Sequence, residues 1–185
     1  MRFSRRQTIM LGAIGALGMA APSLGAKAAT AYEIDRSVGA TLDQFYRHAY
    51  WSRDMARRAA GILVFPTIVK AGFGFGGEYG EGSLLVRGRS AAYYNTASAS
   101  FGFQLGAQAR SVVILFMTPD ALESFSRKDG WKVGVDGSVT VIAVGAGGEV
   151  DTNTINSPIV AFIFDQKGLM YNLTLEGSKI SRIYR

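Results

Sequence analysis

The chain has 185 residues, with 20 Lys and Arg against 14 Asp and Glu, one histidine and no cysteine. The missing cysteine excludes disulfides, cysteine-linked lipid and thiolate metal sites, and a single histidine leaves carboxylates as nearly the whole supply of metal ligands. The length suits one ordinary domain with a core of its own.

The N-terminus reads as an export leader. Arg2, Arg5 and Arg6 precede an apolar run from Ile9 to Ala21, and Ala26-Lys27-Ala28 forms a small-x-small site ahead of Ala29. The apolar run is shorter than the roughly 20 residues that span a bilayer and is diluted by Gly12, Gly15 and Gly18. Paired Arg5-Arg6 after Ser4 resembles a twin-arginine signal, while Thr8 leaves the general secretory route open. The expectation is a leader over residues 1–28, cleavage near Ala28 and a periplasmic or secreted domain over residues 29–185. Removal of the leader takes away Arg2, Arg5, Arg6 and Lys27 and no acid, lowering the formal charge from +6 to +2. So weak a residual field argues against nucleic acid as a partner.

Next in the chain, Ile34, Val38, Leu42, Phe45 and Ala49 recur three or four apart, which predicts an amphipathic helix. A second helix is predicted from Ser52 to Ala60, ended by Gly61, with Arg53 and Arg57 four apart and Arg58 beside them. A basic helical face is ordinarily a solvated surface.

From Gly61 the period changes to two. Ile62 to Phe65 reads as a strand. Ala97, Ala99, Phe101, Phe103, Leu105 and Ala107 alternate with small or polar residues, predicting a half-buried strand with those apolar residues inward. Val112 to Met117 is continuously apolar, as in a strand covered on both faces. Pro119 and Asp120 open a short helix through Arg127. Trp131–Val135, Ser138–Val144, Ile159–Phe164 and Leu169–Leu175 supply further strands, and Asp151 to Pro158 is a polar loop. Asp136-Gly137, Gly145 to Gly148 and Lys167-Gly168 read as turns, which favours antiparallel pairing.

The stretch KAGFGFGGEYGEG, residues 70–82, spaces Gly72, Gly74 and Gly77 as in a dinucleotide-binding turn. That turn needs a helix directly after it, so that phosphates meet the free N–H groups of its first turn, and glycines at 80 and 82 oppose one. An extended reading instead puts Gly72, Gly74 and Gly76 on one bare face of a strand. Such a face accepts a close neighbour: a helix of the same domain, or an anion held by backbone N–H groups near Lys70.

Catalytic and metal readings find little support. Ser100 lacks the first glycine of a nucleophile elbow, and His48, between Tyr46 and Tyr50, reads as a structural or surface residue rather than a base. The pairs Glu78/Glu81 and Glu149/Asp151 do not match a calcium loop. Glu78 and Glu81, with Tyr79, stay as the acid–base pair of an alternative enzyme reading. No catalytic residue, metal or cofactor is assigned.

GILVFP at 61–66, KAGFGFGGEYGEG at 70–82, ASFGFQLGAQ at 99–108, LFMT at 115–118 with Ala121-Leu122, GVDGSV at 134–139 and LEG at 175–177 follow the order and spacing of the SYLF domain, which the mature chain resembles over nearly its whole length. In eukaryotes such domains stand beside Src-homology 3 or zinc-finger modules, bind phosphoinositide membranes and, in fungi, actin filaments; bacterial members are exported single-domain proteins. The resemblance implies affinity for anionic phospholipid through a basic N-terminal region, here Arg47, Arg53, Arg57, Arg58 and Lys70, with Gly72, Gly74, Gly76 and Gly77 as a second candidate surface. An exported protein would not normally meet actin, so that role is not carried over. An envelope protein partner is the alternative. The expected fold is α+β: N-terminal amphipathic helices, then a largely antiparallel, glycine-rich sheet or barrel-like core with one short helix inserted.

Overall fold

The computed structural model describes residues 28–48, 51–144, 156–168, 175 and 177–185, without the side chains of 73–75 and 100–105. Residues 1–27 of the leader, Ala49, the Gly145–Gly148 connector, most of the polar loop and nearly all of the strand expected at 169–175 lie outside the described residues.

Helix α1 (Ala31–His48) buries Ile34, Val38 and Phe45 of the predicted stripe, with Thr41 buried in addition and Leu42 half-buried. Its start is fixed by a reciprocal cap: Thr30 Oγ1 accepts from the Glu33 N–H, and the Thr30 N–H donates to Glu33 Oε2 at 2.7 Å. Helix α2 (Ser52–Arg58) buries Ser52, Met55 and Ala56.

The body of the fold is one long ribbon. Strand β1 (Gly61–Val86) turns at Arg87-Gly88 and returns as β2 (Arg89–Phe116) in antiparallel register along almost the full length. Both turn residues have positive φ, 53° and 75°, which suits the right-handed twist of the flanking strands. The ribbon bends in its middle, and the outer edge of β2 serves two partners in turn. Residues 93–97 pair with β6 (Lys179–Ile183), and residues 108–116 pair with β5 (Ile159–Gly168). Strand β3 (Trp131–Lys132) extends the sheet beyond β6, and β4 (Thr140–Ala143) beyond β5.

The bend brings the two halves of β1 against each other. A Cβ at Gly82 would lie 2.0 Å from the Val64 carbonyl oxygen, and one at Gly80 would lie 2.7 Å from that of Thr67. Close approach is therefore demanded at Gly80 and Gly82, and the neighbour is the backbone of the same strand rather than a helix.

The sheet has apolar residues on both faces. The concave face holds Leu63, Phe65, Val112, Ile114, Phe116, Ala161 and Ile163, closed by α3 (Pro119–Arg127), whose Phe125 stands 4.8 Å from Phe116, 5.0 Å from Tyr94 and 5.6 Å from Trp131, ring to ring. The start of α3 is set by Pro119 in its first turn and by Thr118 Oγ1, which accepts from the Ala121 N–H. The other face places Val64, Val113, Leu115, Val160 and Phe162 under α1 and α2, with Phe45 tilted against Phe162 and stacked on Phe164. Asp35 of α1 ties that layer down by accepting from Ser90 Oγ at 2.6 Å and the Tyr93 hydroxyl at 2.9 Å.

The fold is thus α+β with a mostly antiparallel, curled sheet and one short helix inserted among its strands. Four local expectations need correction. Strands β4 and β5 pair in parallel, because the connection from 144 to 158 is long enough to return the chain to the same end of the sheet. Lys167-Gly168 is no turn; both residues continue β5, and Gly168 pairs with Gln108. Strand β6 was not anticipated, since Lys179 to Ile183 is short and carries two cations and a serine.

The fourth correction concerns the phase of β2. Ala97, Ala99 and Ala107 are exposed, whereas Thr96, Gln108 and Arg110 are buried. An alanine methyl gains little from burial, so three alanines did not outweigh the polar contacts that the inward residues find.

Candidate functional site

Arg47, Arg53, Arg57 and Arg58 are all exposed, as a surface role requires. The guanidinium of Arg53 lies over the ring of Tyr46, 5.1 Å from its centroid. Burial raises the Tyr46 hydroxyl above its ordinary pKa, and the Arg53 charge works in the opposite direction. Arg57 touches Asp54 at 3.5 Å, but both side chains are more than 70 % exposed, so water screens the pair.

Tyr46 and Arg57 also line a shallow depression of about 260 Å³ with Ala56, Ala59, Ala60, Gly61, Ile62, Leu85, Arg87 and Gly88. The β1–β2 turn supplies Arg87, which sequence reasoning missed. Two arginines therefore border a floor of alanine, isoleucine and leucine side chains, and no acid among the described residues lines it. The left-handed backbone of Arg87 is one that L side chains rarely adopt. The signal for it was an Arg-Gly pair between two runs of period two, a two-residue turn whose tip must project from the sheet.

Lys70 is not part of this surface. It is buried on the concave face, opposite Gln108 in the ladder. Gly72 and Gly76 are half-buried, and Gly77 is exposed with room for a side chain, the nearest atom to an added Cβ being the Ser98 carbonyl oxygen at 3.9 Å. Gly74 lies in the backbone of β1.

The carboxylate pair is not brought together. Glu78 points into the concave interior, where Oε2 accepts from Arg110 at 2.7 Å and Oε1 accepts from Ser178 Oγ at 3.3 Å. Glu81, three residues on and so on the other face of the strand, accepts from the Tyr79 hydroxyl and Arg185, each at 2.6 Å. Desolvation and the hydrogen bond to Glu81 raise the Tyr79 hydroxyl. Tyr79, Glu81 and Arg185 line a cleft of about 550 Å³ beside α1, with Ile34, Pro66 and Val69 among its walls. The His48 ring is tilted against Phe164, 5.4 Å between centroids.

Among the described residues no group of acids and histidine could hold a metal ion, and no helix is long and apolar enough to cross a membrane.

Residues 97–183 match the Ysc84 family model, described as Las17-binding protein actin regulator. Among curated proteins, LAS seventeen-binding protein 3 of Saccharomyces cerevisiae is 30% identical over 134 residues, covering 69% of this chain and 29% of the relative. Protein YSC84 of the same yeast is 28% identical over 131 residues, covering 67% and 28%. The chain spans less than a third of the length of these relatives. The family match begins within β2, so α1, α2 and the arginine depression lie ahead of it.

Proposed function

With residues 97–183 carrying the Ysc84, or SYLF, family domain, we propose that this protein binds anionic phospholipid surfaces in the cell envelope. The family description and the relatives' names are those of binding or regulatory proteins, which supports a binding module over an enzyme. The export-like residues 1–28 support the location.

The observation that carries the lipid reading is the depression between α2 and the β1–β2 turn. A phosphate there meets Arg57 and Arg87 from two elements, while the apolar floor accepts the first carbons of a lipid. Arg47, Arg53 and Arg58 add attraction at longer range. Each cation near an anionic surface contributes about 1 kcal/mol, so losing one weakens binding roughly fivefold.

The test is vesicle sedimentation with phosphatidylcholine alone and with added phosphatidylglycerol. Binding is expected only with the anionic lipid, and it weakens with salt as the screening length falls from about 10 Å at 0.1 M to about 3 Å at 1 M. Arg57→Glu with Arg87→Glu removes most of it while the circular dichroism spectrum stays unchanged. Equal binding to both vesicles, or a folded double variant that binds like the wild type, defeats the reading.

A protein partner is the second reading. It is favoured by the binding-protein names of the yeast relatives and by the exposed Tyr79 and Val69 at the cleft beside α1. A partner that co-purifies with a protein lacking lipid affinity decides for it.

A further inference from the structure

The concave interior holds an imbalance of charge that the surface reading leaves unused. Lys70, Gln108 and Arg110 are 8 %, 2 % and 3 % exposed. Lys70 faces Gln108 across the β1–β2 ladder, and Arg110, two residues on, shares that face. Glu78 is the one acid among the described buried residues, and its two oxygens are taken by Arg110 and by Ser178. Lys70 forms no ion pair or hydrogen bond among the described residues. Two cations and one carboxylate are thus enclosed together.

An ammonium that is nine-tenths buried, with no counter-charge among the described residues, loses water's solvation without a paired carboxylate to offset the cost. The arrangement is also locally irregular. The β1–β2 ladder shifts register between Phe65 and Ile68, and the β2–β5 ladder shifts between Ala109 and Ser111. Bulges of this kind re-aim side chains and are common beside binding sites.

We infer that Lys70, with Gln108 and Arg110 beside it, is a site for a small oxyanion, the carboxylate or phosphate group of a ligand that enters the concave side of the sheet. The anion supplies negative charge that the described buried residues lack, with Lys70 as its counter-ion and Gln108 opposite it in the ladder. Arg110 contributes field while remaining paired to Glu78. This site shares no residue with the arginine depression and stands without it.

Thermal unfolding of the purified protein in phosphate, acetate or chloride at equal ionic strength provides the test. A ligand that binds only the folded state raises Tm. At about 100 times its dissociation constant the rise is roughly 5–10 °C for a protein of this size. Phosphate or acetate should produce it and chloride should not. Lys70→Met should abolish the rise and unfold in chloride at or above the wild-type temperature, since the uncompensated charge is gone. Lys70→Arg should keep the rise, and it serves if the methionine variant does not fold.

Arg57→Glu with Arg87→Glu should respond like the wild type, which separates this site from surface lipid binding. A short-chain phosphatidic acid that competes with phosphate identifies a lipid headgroup as the source. Binding of phosphate without such competition identifies a free anion. No advantage of phosphate or acetate over chloride, a full response in Lys70→Met, or a response lost in the double arginine variant overturns the inference.

Discussion

Gly82→Ala tests the central feature of the fold, the closure of β1 upon itself. The added Cβ would stand 2.0 Å from the Val64 carbonyl oxygen and 2.8 Å from Phe65 Cδ1, whereas real Cβ contacts essentially never fall below 3.0 Å. Two backbone segments must part by about 1 Å, and backbone cannot rotate away as a side-chain tip can. Overpacking of this kind costs about 1–3 kcal/mol, a fall in Tm of roughly 2–12 °C at this chain length.

Gly80→Ala meets the Thr67 carbonyl oxygen at 2.7 Å and Ile68 Cγ1 at 2.9 Å, a milder conflict. Gly77→Ala has its nearest neighbour at 3.9 Å and should be neutral or gain about 0.4–1 kcal/mol through the unfolded chain. Calorimetry of the three variants should therefore order them Gly77→Ala highest, then wild type, Gly80→Ala and Gly82→Ala. A Gly82→Ala protein that unfolds with or above Gly77→Ala refutes the closure.

The buried pair predicts a second pattern in urea unfolding. Glu78→Gln or Arg110→Met alone should cost about 3–5 kcal/mol, because each leaves a charge enclosed without its partner, whereas Glu78→Leu with Arg110→Met should cost less than either single change. On the acid side, Asp136 is held below the ordinary carboxylate pKa by the Lys128 ammonium at 2.8 Å and then by the Lys132 N–H. Its contribution is fully present above the unfolded value, about 3.9, and is lost as pH falls through the lower folded value. Asp136→Asn should therefore flatten the decline in stability below about pH 4, and an unchanged acid limb would count against the contact.

The helices and the short inserted helix were legible because each carries its own cues. Ile34, Val38 and Phe45 repeat at helical spacing, and Pro119-Asp120 opens α3 in the same local way. The apolar run 112–117 announced a strand covered on both faces; the strand ends at Phe116, and α1 and α3 cover its two sides. The exposed arginines of α2 followed from helix polarity alone. The motif order pointed to the SYLF family, and the family model matches over residues 97–183.

What the sequence could not settle depends on which distant segments meet. Period two shows that a strand has two faces but not which is enclosed, so the inward turn of Lys70, Thr96, Gln108 and Arg110 is visible only once the ribbon bends and Glu78 and Ser178 arrive beside Arg110. The same bend selects Gly80 and Gly82 from a run of glycines, since only there does the strand's own backbone cross. Arg87 joins Arg57 because a turn tip folds back beside α2, across 30 residues of chain. Local spacing encodes helix, strand and turn through short-range sterics and solvation. Which polar groups share an interior, and which cations share a surface, is fixed by contacts whose cost and gain exist only in the assembled sheet.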